Sequence, residues 1–299
     1  MAVTANAAPM SRWARPWRRL RGNALSVGVV IALAGVVGIA VVAEFIAPYG
    51  PFEVVGAPVQ RPSRAHWLGT DEIGRDVLSR LVIGTRITLV AGLVATLIAL
   101  AIGVPMGLVS GYYGRGLDTV MMRITDGLLA FPPIILAMAT VAVLGPNLTN
   151  TMIAIGVVQI PRFSRLVRAV TLATKQLEYV QAARALGGDD FHIIRRVIFP
   201  NVASMVFVQF SLAFATAVLT EAGLSFLGLG AQPPSPSWGL MLDLGRKLLS
   251  KNPFYALSAG AAVFLIVLVF TLLGDTLRDF FDPFQTTRRG PVPAQGVSS

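Results

Sequence analysis

The chain has 299 residues, of which 54% are hydrophobic and 13% charged, with a formal net charge of +10 and no cysteine. A soluble domain carries about 25% charged residues, so the composition excludes an ordinary soluble domain and points to a membrane protein. Without cysteine there is no disulfide, thiolate metal site or cysteine nucleophile, and two histidines, His66 and His192, are too few for a histidine-rich metal site.

The first 23 residues hold Arg12, Arg15, Arg18, Arg19 and Arg21 and no acid, with Trp13 and Trp17 interleaved. Such a tail suits an anionic inner leaflet better than nucleic acid. The apolar stretch that follows contains Gly38-Ile39-Ala40, which fits a small-x-small cleavage pattern. It is nevertheless longer than the ~7–15 residues of a signal-peptide core, so residues 24–47 are read as an uncleaved first membrane helix with Glu44 at its far end.

Residues 48–86 form a polar segment in which Asp71, Glu72 and Asp76 cluster. His66 is the only nearby candidate base, and no serine-nucleophile motif is present. The string therefore predicts a short capped helix, with Thr70 or Asp71 as cap and an Asp76–Arg80 pair at i,i+4. Ile87–Gly111 carries no ionisable residue, and neither does Gly127–Pro161, which is too long for one helix. Gly145-Pro146-Asn147 divides it. The first part is expected to begin near Asp118 and the second to run past Pro161 toward Val170. Arg123 and Asp126 stand at i,i+3 spacing for an ion pair, and Phe131-Pro132-Pro133 is expected to kink the helix.

Asn201–Leu229 contains one charge, Glu221, and Asn252–Gly274 contains none. A spanning helix needs ~20 apolar residues, so the reading is an all-α polytopic fold with six spans. Charge inside a membrane segment is costly. Glu221 is read equally as a pathway carboxylate and as a structural contact with another subunit. With Asp126 and Pro132 it makes up the candidates for a pathway or interface role.

Sidedness follows from lysine and arginine. With the N-terminus inside, segments 1–23, 112–123, 162–200 and the tail from Arg278 hold 17 of the 25 basic residues. The opposing segments hold the rest, five of them (Arg61, Arg64, Arg75, Arg80 and Arg86) in 48–86. The balance predicts cytoplasmic N- and C-termini, despite that conflict. No GxxxxGK[ST] string occurs, so the chain is not expected to bind ATP.

One charged island, residues 178–201, lies between very apolar segments. Glu178 to Leu186 is a good helix former, with Val180, Ala183 and Leu186 spaced for one face and Gln181 and Arg184 on another. Gly187-Gly188 ends that helix, and Asp189 or Asp190 is expected to cap a second one with Phe191, Ile194, Val197 and Ile198 on its apolar face. Pro200 suits the first turn of a further helix. The small Ala182 and Ala183 allow close approach by another protein, the alternative being a helix lying on lipid headgroups.

Gln181-Ala182-Ala183, three residues, Gly187, nine residues, then Val197-Ile198-Phe199-Pro200 resembles the EAA loop of ATP-binding-cassette importer permeases. That pattern reads Glu-Ala-Ala, three residues, Gly, nine residues, Ile-x-Leu-Pro; here Gln181, Val197 and Phe199 depart from it. Five further strings resemble the dipeptide/oligopeptide/nickel permease group in order: His66–Arg80, Gly111–Gly114, Arg123–Pro132, Glu221–Gly230 and Gly274–Pro283. Together they are similar to the C-type subunit.

The resemblance implies a type I importer permease with a basic tail (1–23), a first helix (24–47), an extracytoplasmic segment (48–86), a five-helix core (87–283) and a cytoplasmic tail (284–299). It implies that the 178–200 loop docks on a cytoplasmic ATPase through Glu178, Gln181, Ala182, Ala183, Arg184, Gly187, Asp190 and Pro200. Implied partners are a B-type permease, two ATPase subunits that bind ATP and magnesium, and an extracytoplasmic binding protein touched by Asp71, Glu72 and Asp76. The implied cargo is peptide, with nickel, glutathione or another small solute as the alternative. No catalytic, cofactor or metal residue is expected in this chain. An ion-driven secondary transporter would show two inverted halves with matching acids or broken helices, and no such symmetry is present.

Overall fold

The computed structural model describes residues 24–281; the two expected tails, 1–23 and 284–299, lie outside them. Helix α1 (Ala24–Ile46) is apolar on every face, as a helix surrounded by hydrocarbon is. Helix α2 (Val77–Tyr113) begins ten residues before the charge-based boundary at Ile87. Asp76 starts it: its backbone is extended, and its Oδ2 accepts from Ser79 N at 2.8 Å. Thr70 and Asp71 do not cap a helix. At 37 residues α2 is about 55 Å long, so both ends project beyond a hydrocarbon layer of ~30 Å.

Helices α3 (Arg115–Leu129) and α4 (Pro133–Leu144) meet at a 90° bend. The expected proline kink is thus a full break. Gly145 adopts a left-handed φ of 94°, and Asn147 caps α5 (Leu148–Thr174) by accepting from Asn150 N. After α6 (Glu178–Ala185), a helical turn at Asp190–His192 enters a π-helical turn, Ile193–Ile198, which runs unbroken into α7 (Phe199–Phe226). Helices α8 (Trp238–Lys247) and α9 (Pro253–Phe281) complete the chain. Among the described residues there is no strand, only two isolated bridges.

The segments Ala24–Ile46, Val77–Tyr113, Asp190–Phe226 and Pro253–Phe281 are long and apolar enough to cross a membrane, and the bent α3–α4 pair passes jointly. Helix α5 does not pass, because Arg162, Arg165 and Arg168 occupy its second half.

A glycine ladder fixes the central pair. Cβ atoms at Gly103, Gly107 and Gly111 of α2 would fall 2.6–2.9 Å from Phe163, the Ser164 carbonyl, Val167 and Thr171 of α5. Gly156 of α5 sits just as tightly against Ile98. Successive contacts advance the same way along both helices, so the two are parallel, and the four-residue spacing of small residues lets their backbones approach.

The connections gather at two ends. At one, Arg80 Nη1 donates to the Pro51 and Pro234 carbonyls at 2.8 and 3.3 Å. There too, buried Asn252 uses its Nδ2 to hold the Gln60 and Leu68 carbonyls, both at 3.2 Å. The other end carries the 175–198 segment, placed over Val167, Phe163 and Val202 by the buried Val180, Ile193 and Ile198.

Candidate functional site

The 178–200 segment is built around one turn. Gly187 takes a φ of 83°. Gly188 N donates to the Ala183 carbonyl at 3.1 Å and Gly187 N to the Arg184 carbonyl at 3.0 Å. This pair of bonds ends α6 with a Schellman motif, and the left-handed residue favours glycine. Glu178 lies in the first turn of α6, where an acid complements the helix dipole. Ala182 is exposed and Ala183 half-buried.

The segment is fastened at several points. Tyr112 Oη, at the end of α2, donates to Asp190 Oδ1 at 2.6 Å, and Arg184 lies over the Tyr112 ring, 5.4 Å from its centroid. Lys175 Nζ donates to the Gly111 and Tyr112 carbonyls at 3.1 and 3.2 Å, neutralising the C-terminal end of α2. Gln181 Nε2 donates to the Lys175 carbonyl at 2.9 Å. An ionised glutamate at that position could not donate, so the departure from Glu-Ala-Ala has a local use. Asn201 Nδ2 donates to Tyr179 Oη at 2.9 Å. Of the eight residues expected in the loop, Gln181, Arg184 and Asp190 make bracing contacts by their side chains, and Ala183 and Gly187 form the turn.

The local expectations are met in part. Asp189 holds the N-cap position with an extended backbone, but neither it nor Asp190 caps by its side chain; Asp190 serves Tyr112 instead. Pro200 occupies the first turn of α7 as expected, although the π-turn carries the chain into that helix without a break. Leu186 and Phe191 do not face inward: they are 89% and 67% exposed, flanking the glycine turn. Helical periodicity put Leu186 on one face with the buried Val180, and Phe191 on the apolar face of the second helix. Both stand at helix ends beside the Gly187-Gly188 turn, where the chain leaves the surface that buries Val180 and Ile193.

Asp126 pairs with Arg165 of α5, not with Arg123. The neighbouring Asp118 holds Arg168 with both oxygens and accepts from Ser110 Oγ at 2.6 Å. Pro132 stands exposed at the α3–α4 bend. Glu221 is fully buried within its own chain and lines no open path there. Ser225 Oγ donates to Glu221 Oε1 at 2.7 Å and accepts from Ala231 N at 3.0 Å, so the carboxylate anchors the turn after α7.

The acids between α1 and α2 are not a surface cluster. Asp71 is buried against Arg75 and Arg80, and Asp76 against His66 (3.0 Å) and Ser79. Asp76 does not pair with Arg80. Only Glu72, bonded to Arg75 at 2.9 Å, keeps a partly exposed side chain. Among the described residues no group of three or more acidic or histidine side chains is arranged to hold a metal ion.

A family model described as binding-protein-dependent transport system inner membrane component matches residues 103–286. The chain belongs to this family. A second model, the N-terminal TM domain of oligopeptide transport permease C, matches residues 11–62. This permease is 43% identical over 273 residues (91% of each chain) to the glutathione transport system permease protein GsiD of Pectobacterium atrosepticum. It is 42% identical over 275 residues to the dipeptide transport system permease protein DppC of Alkalihalophilus pseudofirmus, covering 92% of this chain and 90% of the relative. Among solved structures, an inward-facing MetNI methionine ABC transporter aligns with a TM-score of 0.57 at 20% identity, over 68% of this chain and 97% of that one. That likeness bears on the fold. The braced 178–200 unit and Glu221 both lie inside the first matched region. As a permease subunit, the chain is a transporter component and not an enzyme; ATPase activity in such systems belongs to separate subunits.

Proposed function

We propose that this chain is the C-type permease of an ATP-driven importer of short peptides and that its 178–200 loop receives the stroke of a cytoplasmic ATPase. The observation that carries the reading is the pairing of a tightly braced loop with two unsupported apolar side chains, Leu186 and Phe191, at its tip. A loop that only lay against its own protein would bury them. Large apolar side chains of this kind act as anchors when a partner offers a pocket.

In this reading six helices cross the inner membrane, the α3–α4 pair forms the third span and α5 the fourth, and both termini are cytoplasmic. Three of the five arginines that weigh against this orientation are already engaged: Arg75 and Arg80 by Asp71, and Arg86 by Glu44. A B-type permease forms the other half of the pathway, and the exposed Asp126–Arg165 pair and Pro132 belong to that shared face. Two ATPases bind ATP and magnesium. Their closure draws the two coupling loops together and opens the path outward, and hydrolysis resets it. A binding protein delivers cargo at the opposite end, where Glu72 remains available to it. The relatives' names, one for glutathione and one for dipeptide, favour small peptides over nickel.

The test is co-purification with the ATPase subunits. Leu186→Asp is expected to lower ATPase recovery by roughly tenfold or more, as loss of one central apolar anchor of about 1.4 kcal/mol or more requires, while membrane insertion is unchanged. Normal recovery and normal peptide uptake in that variant would remove the loop from the coupling path.

A further inference from the structure

We propose that the groove between α1, α2, α7 and α9 binds one phosphatidylethanolamine-type phospholipid, its headgroup on the Arg86–Glu44 pair and an acyl chain in the cavity beneath. The inference is independent of the coupling role assigned above and needs only that these helices cross a membrane.

The cavity has a volume of about 520 Å³. Val41, Leu89, Val90, Phe210 and Phe270 contribute to an apolar wall on which Arg86 is the single ionisable group. Phe214 and Phe270 stack with centroids 3.9 Å apart and make its back firm. A second cavity of about 390 Å³ adjoins it through Arg86 and is lined by Glu44 together with the apolar Pro51, Phe52, Ile83, Ile87 and Pro236. The groove therefore carries its charge at one place, the Arg86–Glu44 pair, with apolar side chains on both sides, a profile that suits an amphiphile.

Its depth agrees. Arg86 is the last ionisable residue before the uncharged run Ile87–Gly111, and Glu44 is the only charge in α1. Both sit where hydrocarbon gives way to headgroups. Arg86 Nη1 donates to Glu44 Oε1 at 2.9 Å, and the two side chains are 58% and 71% exposed. An exposed pair of this kind adds little stability, so folding does not account for it. Helix α1 buries few of its residues against the rest of the chain, which leaves the groove open to the bilayer.

The headgroup follows from charge. A guanidinium binds a phosphate through a planar fork of N–H donors, and a carboxylate accepts from an ammonium. Phosphoethanolamine carries both charges a few bonds apart. Phosphoglycerol lacks the cation, and choline lacks N–H donors.

The experiment uses the full chain with its partner subunits, reconstituted in vesicles of phosphatidylethanolamine, phosphatidylcholine and phosphatidylglycerol in equal parts and released for native mass spectrometry. The expected result is one retained phospholipid, predominantly phosphatidylethanolamine. Glu44→Gln should keep a lipid but reduce the ethanolamine preference by roughly tenfold. Val90→Trp, which fills the cavity, should remove lipid of every class. Retention in vesicle proportions, or undiminished retention in Val90→Trp, overturns the proposal. Because the chain has no cysteine, Val41→Cys gives a single labelling point. High-yield crosslinking from it to the partner permease would mean that protein covers the groove, and would also overturn it.

Discussion

Tyr112 shows how much of the 178–200 segment rests on one side chain outside it. Its hydroxyl holds Asp190 and its ring carries Arg184, so it grips both arms of the glycine turn. A hydrogen bond in such a half-wet place contributes about 0.5–1.5 kcal/mol. Tyr112→Phe keeps the ring and loses the grip on Asp190. We expect normal assembly but a roughly two- to tenfold rise in ATP hydrolysed per peptide imported, measured in proteoliposomes; an unchanged ratio would make Tyr112 a packing residue only. The sequence placed Tyr112 in a resembling string without a role, because its partner lies 78 residues away. Asp126 was misassigned for the same reason: its nearest sequence neighbour of opposite charge was Arg123, but the crossing of α3 and α5 brings Arg165 closer.

Among the helices, the apolar segments were legible and their ends were not. Uncharged apolar runs and Gly145-Pro146-Asn147 located helices, because both signals are local, but α5, expected as a span, is not apolar enough to qualify. The start of α2 was hidden because Arg80 and Arg86 lie within the helix, one buried near Asp71 and the other paired with Glu44. The loop's glycine turn was legible from Gly187-Gly188, while the π-turn at Ile193–Ile198 left no mark in the spacing. The tightest helix contact also went unread, since Gly103, Gly107 and Gly111 look like any glycines in an apolar run. It has a direct consequence. A side chain at Gly107 would meet the Ser164 carbonyl at 2.6 Å and Val167 at 2.7 Å. Gly107→Val should therefore cost about 1–3 kcal/mol or more through overpacking, seen as a lower thermal midpoint of the purified permease. Gly28→Ala on α1, where nothing lies within 4 Å, should change stability by less than about 0.5 kcal/mol.

At the scale of the whole molecule, the segment between α1 and α2 is closed from far away. Asn252 holds the Gln60 and Leu68 carbonyls across 192 and 184 residues of chain. Asn252→Ala removes those donors, leaving the Gln60 carbonyl only its bond from Thr70 N and taking this partner from the Leu68 carbonyl. Trypsin should then cut the solubilised protein faster after Arg64, which is exposed, than in the unaltered chain; equal cutting would show that the segment closes without those bonds. The same bonds set a clock for biogenesis. At a synthesis rate of about 5–20 residues per second, the chain between Gln60 and Asn252 takes about 10–40 s to appear. Throughout that interval the segment has no Asn252 to close against, so its closure comes late in the birth of the protein.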